Sequence, residues 1–221
     1  MNSNDIIHYQ PLTAEYFDDA VKCISENFRN HEPLTAYLKV GEEEFRPFVA
    51  DMAAQSLRSE LGVIAIDAAS QRLVGARLST DAGNDFTPTI ELSPKMTTIM
   101  KFLDCVSATL KQQTSQATGK YLHAQMMAVD ANFHNRGIAK GILLQTALLG
   151  ERLGYSSIVG EVTNRHNKRI LSRSKGWHAC HAVRYEDYQD GNQTPFVGIT
   201  GHDDCTAFML NIKEFLEDQN V

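Results

Sequence analysis

The chain has 221 residues, 43% of them hydrophobic and 22% charged, which is ordinary for a folded protein with one sizeable core, so a single domain over residues 1–221 is the default. Its formal net charge is -6 and its basic residues are scattered rather than striped, which argues against a nucleic-acid surface and suits a cationic small substrate. No apolar run approaches the roughly 18 residues of a membrane span. Residues 1–5 form no leader, and the cysteines at 23, 105, 180 and 205 make no Cys-x-x-Cys pair, so a soluble cytoplasmic protein with reduced thiols and no membrane partner is expected.

Residues 6–10 form a short strand candidate, and Thr13 opens a helix whose apolar face is Phe17, Ala20, Val21, Ile24 and Phe28, ending near Asn30. Pro33 interrupts the chain before residues 42–61, which place Phe45, Phe48, Val49, Met52, Ala53 and Leu57 at helical spacing. Residues 62–67 and 73–80 read as a hairpin, 84–94 as a loop, and 95–117 as a long amphipathic helix terminated by Gly119. An apolar strand over 121–129 follows. A polar turn crosses 130–136, and from Gly137 the positions Ile138, Ile142, Leu143, Leu149 and Leu153 recur at helical spacing. Beyond it the pattern predicts a strand over 156–162, a helix over 164–175 closed by Gly176, a strand over 177–188, and a last strand pair with a terminal helical turn in 195–215. Helices interrupting a largely antiparallel sheet make this an α+β architecture rather than a doubly wound one.

The turn after Val129 feeds directly into a helix N-terminus, where backbone N–H groups lack partners and the dipole favours anions. A loop of small residues there makes a phosphate cradle. The segment His134-Asn135-Arg136-Gly137-Ile138-Ala139 resembles the acyl-CoA motif of the Gcn5-related N-acetyltransferase family, Gln/Arg-x-x-Gly-x-Gly/Ala behind a strand ending in Val, with His134 departing at the first position. The order of elements is similar to the family's over most of the chain. The resemblance implies the acyl-CoA N-acyltransferase fold, a mixed, mostly antiparallel sheet flanked by helices, whose motif strand and next strand splay to admit the pantetheine arm. It implies acetyl-CoA as cosubstrate and no metal. The pyrophosphate would lie on the main chain of His134, Asn135, Arg136, Gly137, Ile138, Ala139 and Lys140, with Gly137 and Ala139 permitting close approach. The thioester oxygen would meet main-chain N–H groups of Met127, Ala128 and Val129.

Amide formation also needs a proton acceptor for the amine. Phe28-Arg-Asn-His-Glu32-Pro-Leu-Thr looks like the Glu-Pro-Leu segment of the arylalkylamine branch, including the insect dopamine N-acetyltransferases, where the glutamate faces the acetyl group. That makes Glu32 the base, helped by partial desolvation, with His31 beside it as a substrate contact. Read on composition alone, Glu32 is a solvated acid at a helix start. Asn164 and Asn167 are polar candidates for contact with the pantetheine arm, and Thr163 or Asn164 reads equally as a helix N-cap. Many family members carry a tyrosine as the thiolate's proton donor, at positions that are Leu171 and Ser172 here, and no tyrosine stands between Tyr155 and Tyr185. Either Ser172 or Ser174 donates, or the thiolate leaves unaided, a free thiol having a pKa near about 8.5.

The tail resembles the branch's C-terminal hairpin, which makes Tyr185 and His202 candidates for the amine pocket. Their ordinary alternatives are a strand aromatic and a surface histidine. His178 and Cys180 share one face of a strand while His181 points to the other, which gives no metal cluster. The implied function is acetylation of a small primary amine of the arylalkylamine kind by direct attack in a ternary complex. Polyamine, other small-amine or protein acetylation is the near alternative, and a CoA-binding sensor without turnover the distant one. The amine's identity and the oligomeric state are left open.

Overall fold

The computed structural model describes residues 6–116 and 119–220; the leader reading of residues 1–5 and the expected helix end at Ala117 lie outside the described residues. Seven strands form one sheet: β1 (Ile7–Pro11), β2 (Val63–Asp67), β3 (Arg72–Asp81), β4 (Lys120–Val129), β5 (Tyr155–Val162), β6 (Trp177–Arg184) and β7 (Asp204–Asn211), in the order β1-β2-β3-β4-β5-β7-β6. β4 and β5 run parallel, and the other neighbours pair antiparallel. Every residue of β2 is buried, as is Leu73–Thr80 of β3, because both faces of the sheet are covered.

On one face lie α1 (Phe17–Phe28), α3 (Glu42–Arg58) and α4 (Pro94–Gln116), contributing Ile24, Phe45, Phe48, Met52, Phe102 and Val106 to the larger core cluster. The helical period of α1 turns Ala20, Val21 and Ile24 inward, and Phe28 stacks on Phe45 with ring centroids 6.0 Å apart. The short α2 (Pro33–Tyr37) follows α1. The other face is covered by α5 (Ile138–Arg152) and α7 (Ile212–Asp218), whose Ile138, Ile142, Leu143, Ile212 and Phe215 fill two smaller clusters. α6 (Arg165–Leu171) follows β5.

What positions the site is the behaviour of the parallel pair. β4 and β5 pair from Lys120↔Tyr155 to His123↔Val159 and no further. β4 nevertheless continues against β3 as far as Val129↔Gly75, and β5 against β7 as far as Val162↔Thr206. A wedge therefore opens between them. At its root the strands are still close, since a Cβ on Gly160 would lie 2.8 Å from the Ala124 carbonyl oxygen. In an antiparallel ladder alternate residues direct N–H and C=O away from their partner, so part of the 124–129 main chain on the β5 side faces the wedge.

Three expectations need correction. α6 stops at Leu171 rather than 175, because the chain tightens through Arg173 N–H to Ile170 O (3.2 Å) and Ser174 N–H to Leu171 O (2.9 Å) into Gly176 at φ +80°. β6 ends at Arg184 rather than 188. The tail carries one strand, β7, where a pair was expected. Residues 185–203 instead loop over the sheet, and their apolar residues Tyr185, Tyr188 and Phe196 surround Phe102 at centroid distances of 5.6, 4.8 and 5.0 Å. No helix of the described residues is long and apolar enough to cross a membrane.

Candidate active site

The loop between β4 and α5 is shaped by local bonds. Asp130 Oδ1 accepts from Asn132 N–H at 2.9 Å, Asn27 at the end of α1 accepts from Ala131 N–H at 3.2 Å, and His134 Nε2 lies 3.1 Å from Val129 O. The Arg136 guanidinium sits over the Phe133 ring, 4.8 Å from its centroid. Asn135 and Gly137 both take positive φ, +62° and +76°, turning the main chain into α5. Apart from its own chain neighbours, no atom of the described residues lies within 4 Å of where a Cβ on Gly137 would stand. The first intrahelical bond runs from Gly141 N–H to Gly137 O at 3.0 Å, so the N–H groups of Ile138, Ala139 and Lys140 lack intrahelical partners. Residues His134 to Gly137, Ala139 and Lys140 are exposed, and Ile138 anchors the turn in the core. An open cradle of unpartnered donors at a helix N-terminus fits a pyrophosphate. It lies at the mouth of the wedge, one residue of which, Ala128, is buried while Met127 and Val129 are half-buried.

Glu32 is buried, and it is also the N-cap of α2. Its Oε1 accepts from Leu34 N–H at 3.1 Å, and Oε2 from Thr35 N–H at 2.8 Å and Thr35 Oγ1 at 3.0 Å. Pro33 at the first helical position suits that geometry. Of the composition reading only the helix start survives: Glu32 caps α2 but is buried, not solvated, and the cap fixes the carboxylate while Oε1 retains capacity for another donor. Glu32 is near enough to Tyr185 and Cys205 that its charge, added to the effect of burial, raises both of their pKa values.

The remaining candidates fall into different places. Tyr185 is 2% exposed, and its hydroxyl donates to Thr163 O at 2.6 Å, so it is a core residue that ties the chain after β6 to the end of β5. His202 Nδ1 accepts from Arg165 N–H at 3.2 Å, and His31 is exposed with Nδ1 2.9 Å from Asn27 O. Asn164 caps α6, its Oδ1 accepting from His166 N–H (2.8 Å) and Asn167 N–H (3.3 Å), while Asn167 itself is exposed. Ser172 is exposed and its hydroxyl donates to Arg169 O at 3.3 Å.

The sequence reading passed over the most strongly coupled group in the molecule. His123, the last residue of β4 paired with β5, places Nδ1 2.8 Å from both carboxylate oxygens of Asp85 and Nε2 3.0 Å from Glu161 Oε2. Ser107 of α4 donates to Glu161, and Thr80 and Gln125 donate to Asp85 Oδ1 at 2.9 and 2.7 Å. Burial alone would push the imidazole down, but the charges and hydrogen bonds of Glu161 and Asp85 outweigh it and hold the pKa up at about 10. The imidazolium in turn overcomes the effect of burial on both acids and keeps them below their ordinary values. Burial raises the pKa of Cys205, and the charges of Glu161 and Glu32 add to it, so both carboxylates act on this one thiol. A polar residue inside an apolar strand was the available signal, present at His123, at Glu161 and at Arg77. Two cavities, about 500 and 170 Å³, lie elsewhere: behind the sheet between α5 and α7, and between α1 and the β2–β3 turn.

No family model and no curated protein matches the chain by sequence. Solved structures match it closely in shape. The C-terminal condensation domain of Ebony, in complex with beta-alanyl-dopamine, superposes with a TM-score of 0.81 at 17% identity, covering 93% of this chain and 99% of that one. Its fold is that of the Gcn5-related N-acetyltransferases. Arylalkylamine N-acetyltransferase 2 from Aedes aegypti gives 0.79 at 18% identity over 93% and 99% of the two chains. The Drosophila melanogaster polyamine N-acetyltransferase that forms N-acetylagmatine gives 0.76 at 17% over 93% and 100%. In this fold the Gly137 turn follows directly on the strand that borders the wedge, and His123 and Glu161 stand on the two strands that form it.

Proposed function

We propose that the chain is an acetyl-CoA-dependent N-acetyltransferase of a small primary amine, arylalkylamine-like, working by direct attack in a ternary complex. The observation that carries this reading is the end of β4–β5 pairing at His123↔Val159, combined with a left-handed Gly137 turn that opens the α5 N-terminus onto the wedge. When bound, acetyl-CoA supplies an acyl carbon activated as a thioester. The loop 134–140 binds the pyrophosphate through main-chain donors, and the 127–129 main chain offers N–H to the carbonyl oxygen. Glu32 holds the incoming ammonium through Oε1 and accepts its proton, while α2 and the 185–203 loop keep that carboxylate away from bulk water.

Asp85 and Glu161 face the imidazolium of His123 and act on the charge of Lys111, and Glu32 adds a third carboxylate whose cap donors are all neutral, which favours a cationic amine at Glu32. Structural neighbours named for arylalkylamines, for agmatine and for a bound beta-alanyl-dopamine support the amine class. The test is free-thiol release from acetyl-CoA with tyramine, tryptamine, histamine, spermidine, agmatine and amino acids. Saturable release with one or more of the amines is expected. CoA binding with no amine-stimulated release by any of them would favour a sensor instead.

A further inference from the structure

Arg77 stands in the middle of β3, directly opposite Met127 of β4 in the register. Its side chain lies on the α5 side of the sheet, because Gly75, two residues earlier on the same strand, faces Ile138 and Ile142 of α5, and Met127 packs in that same cluster. The residue is 8% exposed. Its Nη2 approaches the Met127 sulfur at 3.3 Å, and its Nε has no hydrogen-bond partner among the described residues. Burial alone moves the guanidinium, down to about 10, and no acidic group of the described residues acts against that shift. The group is therefore a cation at neutral pH, buried and without a counter-ion among the described residues, beside the strand segment that borders the wedge.

An unpaired charge in a dry interior is expensive, and folding gains nothing from it that a methionine of similar length would not supply. Resting on the acetyl-transfer reading above, we propose that Arg77 is an electrostatic positioning residue for the reaction, its guanidinium stabilising the negative charge that develops on the thioester held along Met127–Val129. In the step concerned, the amine lone pair forms the N–C bond and the carbonyl π pair moves to oxygen. The ammonium's first proton, taken by Glu32 before attack, is released to solvent, the tetrahedral nitrogen's surplus proton then passes to the freed carboxylate, the C=O bond re-forms, and the C–S pair leaves with sulfur as the CoA thiolate. Negative charge thus appears first on oxygen and then on sulfur, and a thioester held along Met127–Val129 would present it to the strand against which Arg77 lies. The thioether and the orphan Nε are what such a role requires, since a carboxylate partner would cancel the field.

The test is Arg77→Met with Arg77→Lys as the charge-preserving control, each followed by urea unfolding, acetyl-CoA binding and single-turnover thiol release with an amine the parent accepts. Arg77→Met is expected to be as stable as the parent or more so, to bind acetyl-CoA with affinity within about threefold, and to lose roughly 10- to 100-fold in the single-turnover rate. Arg77→Lys should recover much of that rate. An independent readout is CoA binding followed from pH 6.5 to 9.5: the parent should favour the thiolate form, and Arg77→Met should lose that preference. An Arg77→Met variant that fails to fold or is clearly destabilised would show a structural role and overturn the proposal, as would one that turns over within about twofold of the parent. A parent that binds no CoA or acetylates no amine defeats the functional reading itself, a result distinct from either.

Discussion

Replacing His123 by leucine should remove more stability than any other single change in the site. The imidazolium bridges Asp85 and Glu161 at 2.8 and 3.0 Å, with the three side chains 10%, 27% and 10% exposed. Deleting one partner of a buried ion pair costs about 3–5 kcal/mol, and the partial exposure of Asp85 screens its share, which places the loss near about 3 kcal/mol. For a chain of this size that corresponds to roughly 6–12 °C in Tm. The sign of the pH dependence follows from the shifts. His123 has its pKa raised in the folded state to about 10, so its contribution is fully present below about 6.5 and disappears as pH rises through about 10. Asp85 and Glu161 are lowered, so theirs is present above the ordinary carboxylate range and is lost as pH falls through the depressed values. Urea unfolding of parent and His123→Leu at pH 5.5, 7.5 and 10 should therefore give a gap that is widest at 5.5 and narrows at 10. Adding Asp85→Asn and Glu161→Gln to His123→Leu should restore much of the loss, because the three act as one unit. A gap below about 1 kcal/mol at pH 5.5, or one unchanged at pH 10, refutes the coupled-triad account.

Gly137→Val introduces a side chain at φ +76° into the open cradle, and acetyl-CoA affinity measured by calorimetry should fall tenfold or more while Tm moves by only the few degrees expected from about 1 kcal/mol of backbone strain; unchanged affinity in the folded variant sinks the cradle. Glu32→Gln should lower turnover by about 100- to 10,000-fold with acetyl-CoA binding preserved, and its Tm reports separately on the weakened α2 cap. Near-full turnover with the parent's pH profile would place the base elsewhere. Ser172→Ala should leave turnover within about twofold, because this hydroxyl is exposed and engaged with Arg169 O, and a loss near 100-fold would make it the thiolate's acid.

The parts of this site that could be read from sequence are those set by short-range chemistry. The turn into a helix at Gly137 and the apolar period of α5 each occupy a few consecutive residues, and the structure places both as expected, whereas the short helix that Glu32 caps stands where only a break at Pro33 was expected. Strand order and the wedge are not local. They depend on β5 leaving β4 after Val159 to follow β7, a choice that no periodicity in either strand encodes. The strand pair expected in 195–215 misled for a related reason: Phe196 is apolar because it anchors a loop on Phe102, not because it faces a sheet. His123, Asp85 and Glu161 stand 38 residues apart on either side, so only the fold makes them a triad.

Their placement also explains why composition was uninformative about the reaction. The net charge of -6 is spread over the surface, yet the sheet at the wedge separates charges of opposite sign across its thickness. Glu32, Asp85 and Glu161 lie with His123 on the side covered by α3 and α4, and Arg77 stands alone on the side covered by α5. A cationic amine entering on the acidic side would be drawn toward the strand, and negative charge appearing on a thioester within the wedge would be favoured from behind by Arg77. These two attractions oppose one another if the charges are exchanged or neutralised, so the arrangement makes a joint demand. Weakening the acidic side through Asp85→Asn should raise the KM for the amine without slowing the single-turnover rate, whereas Arg77→Met should slow the rate without raising that KM. Substitutions that both moved only KM would mean that the field acts on binding alone, and the catalytic share assigned to Arg77 would have to be withdrawn.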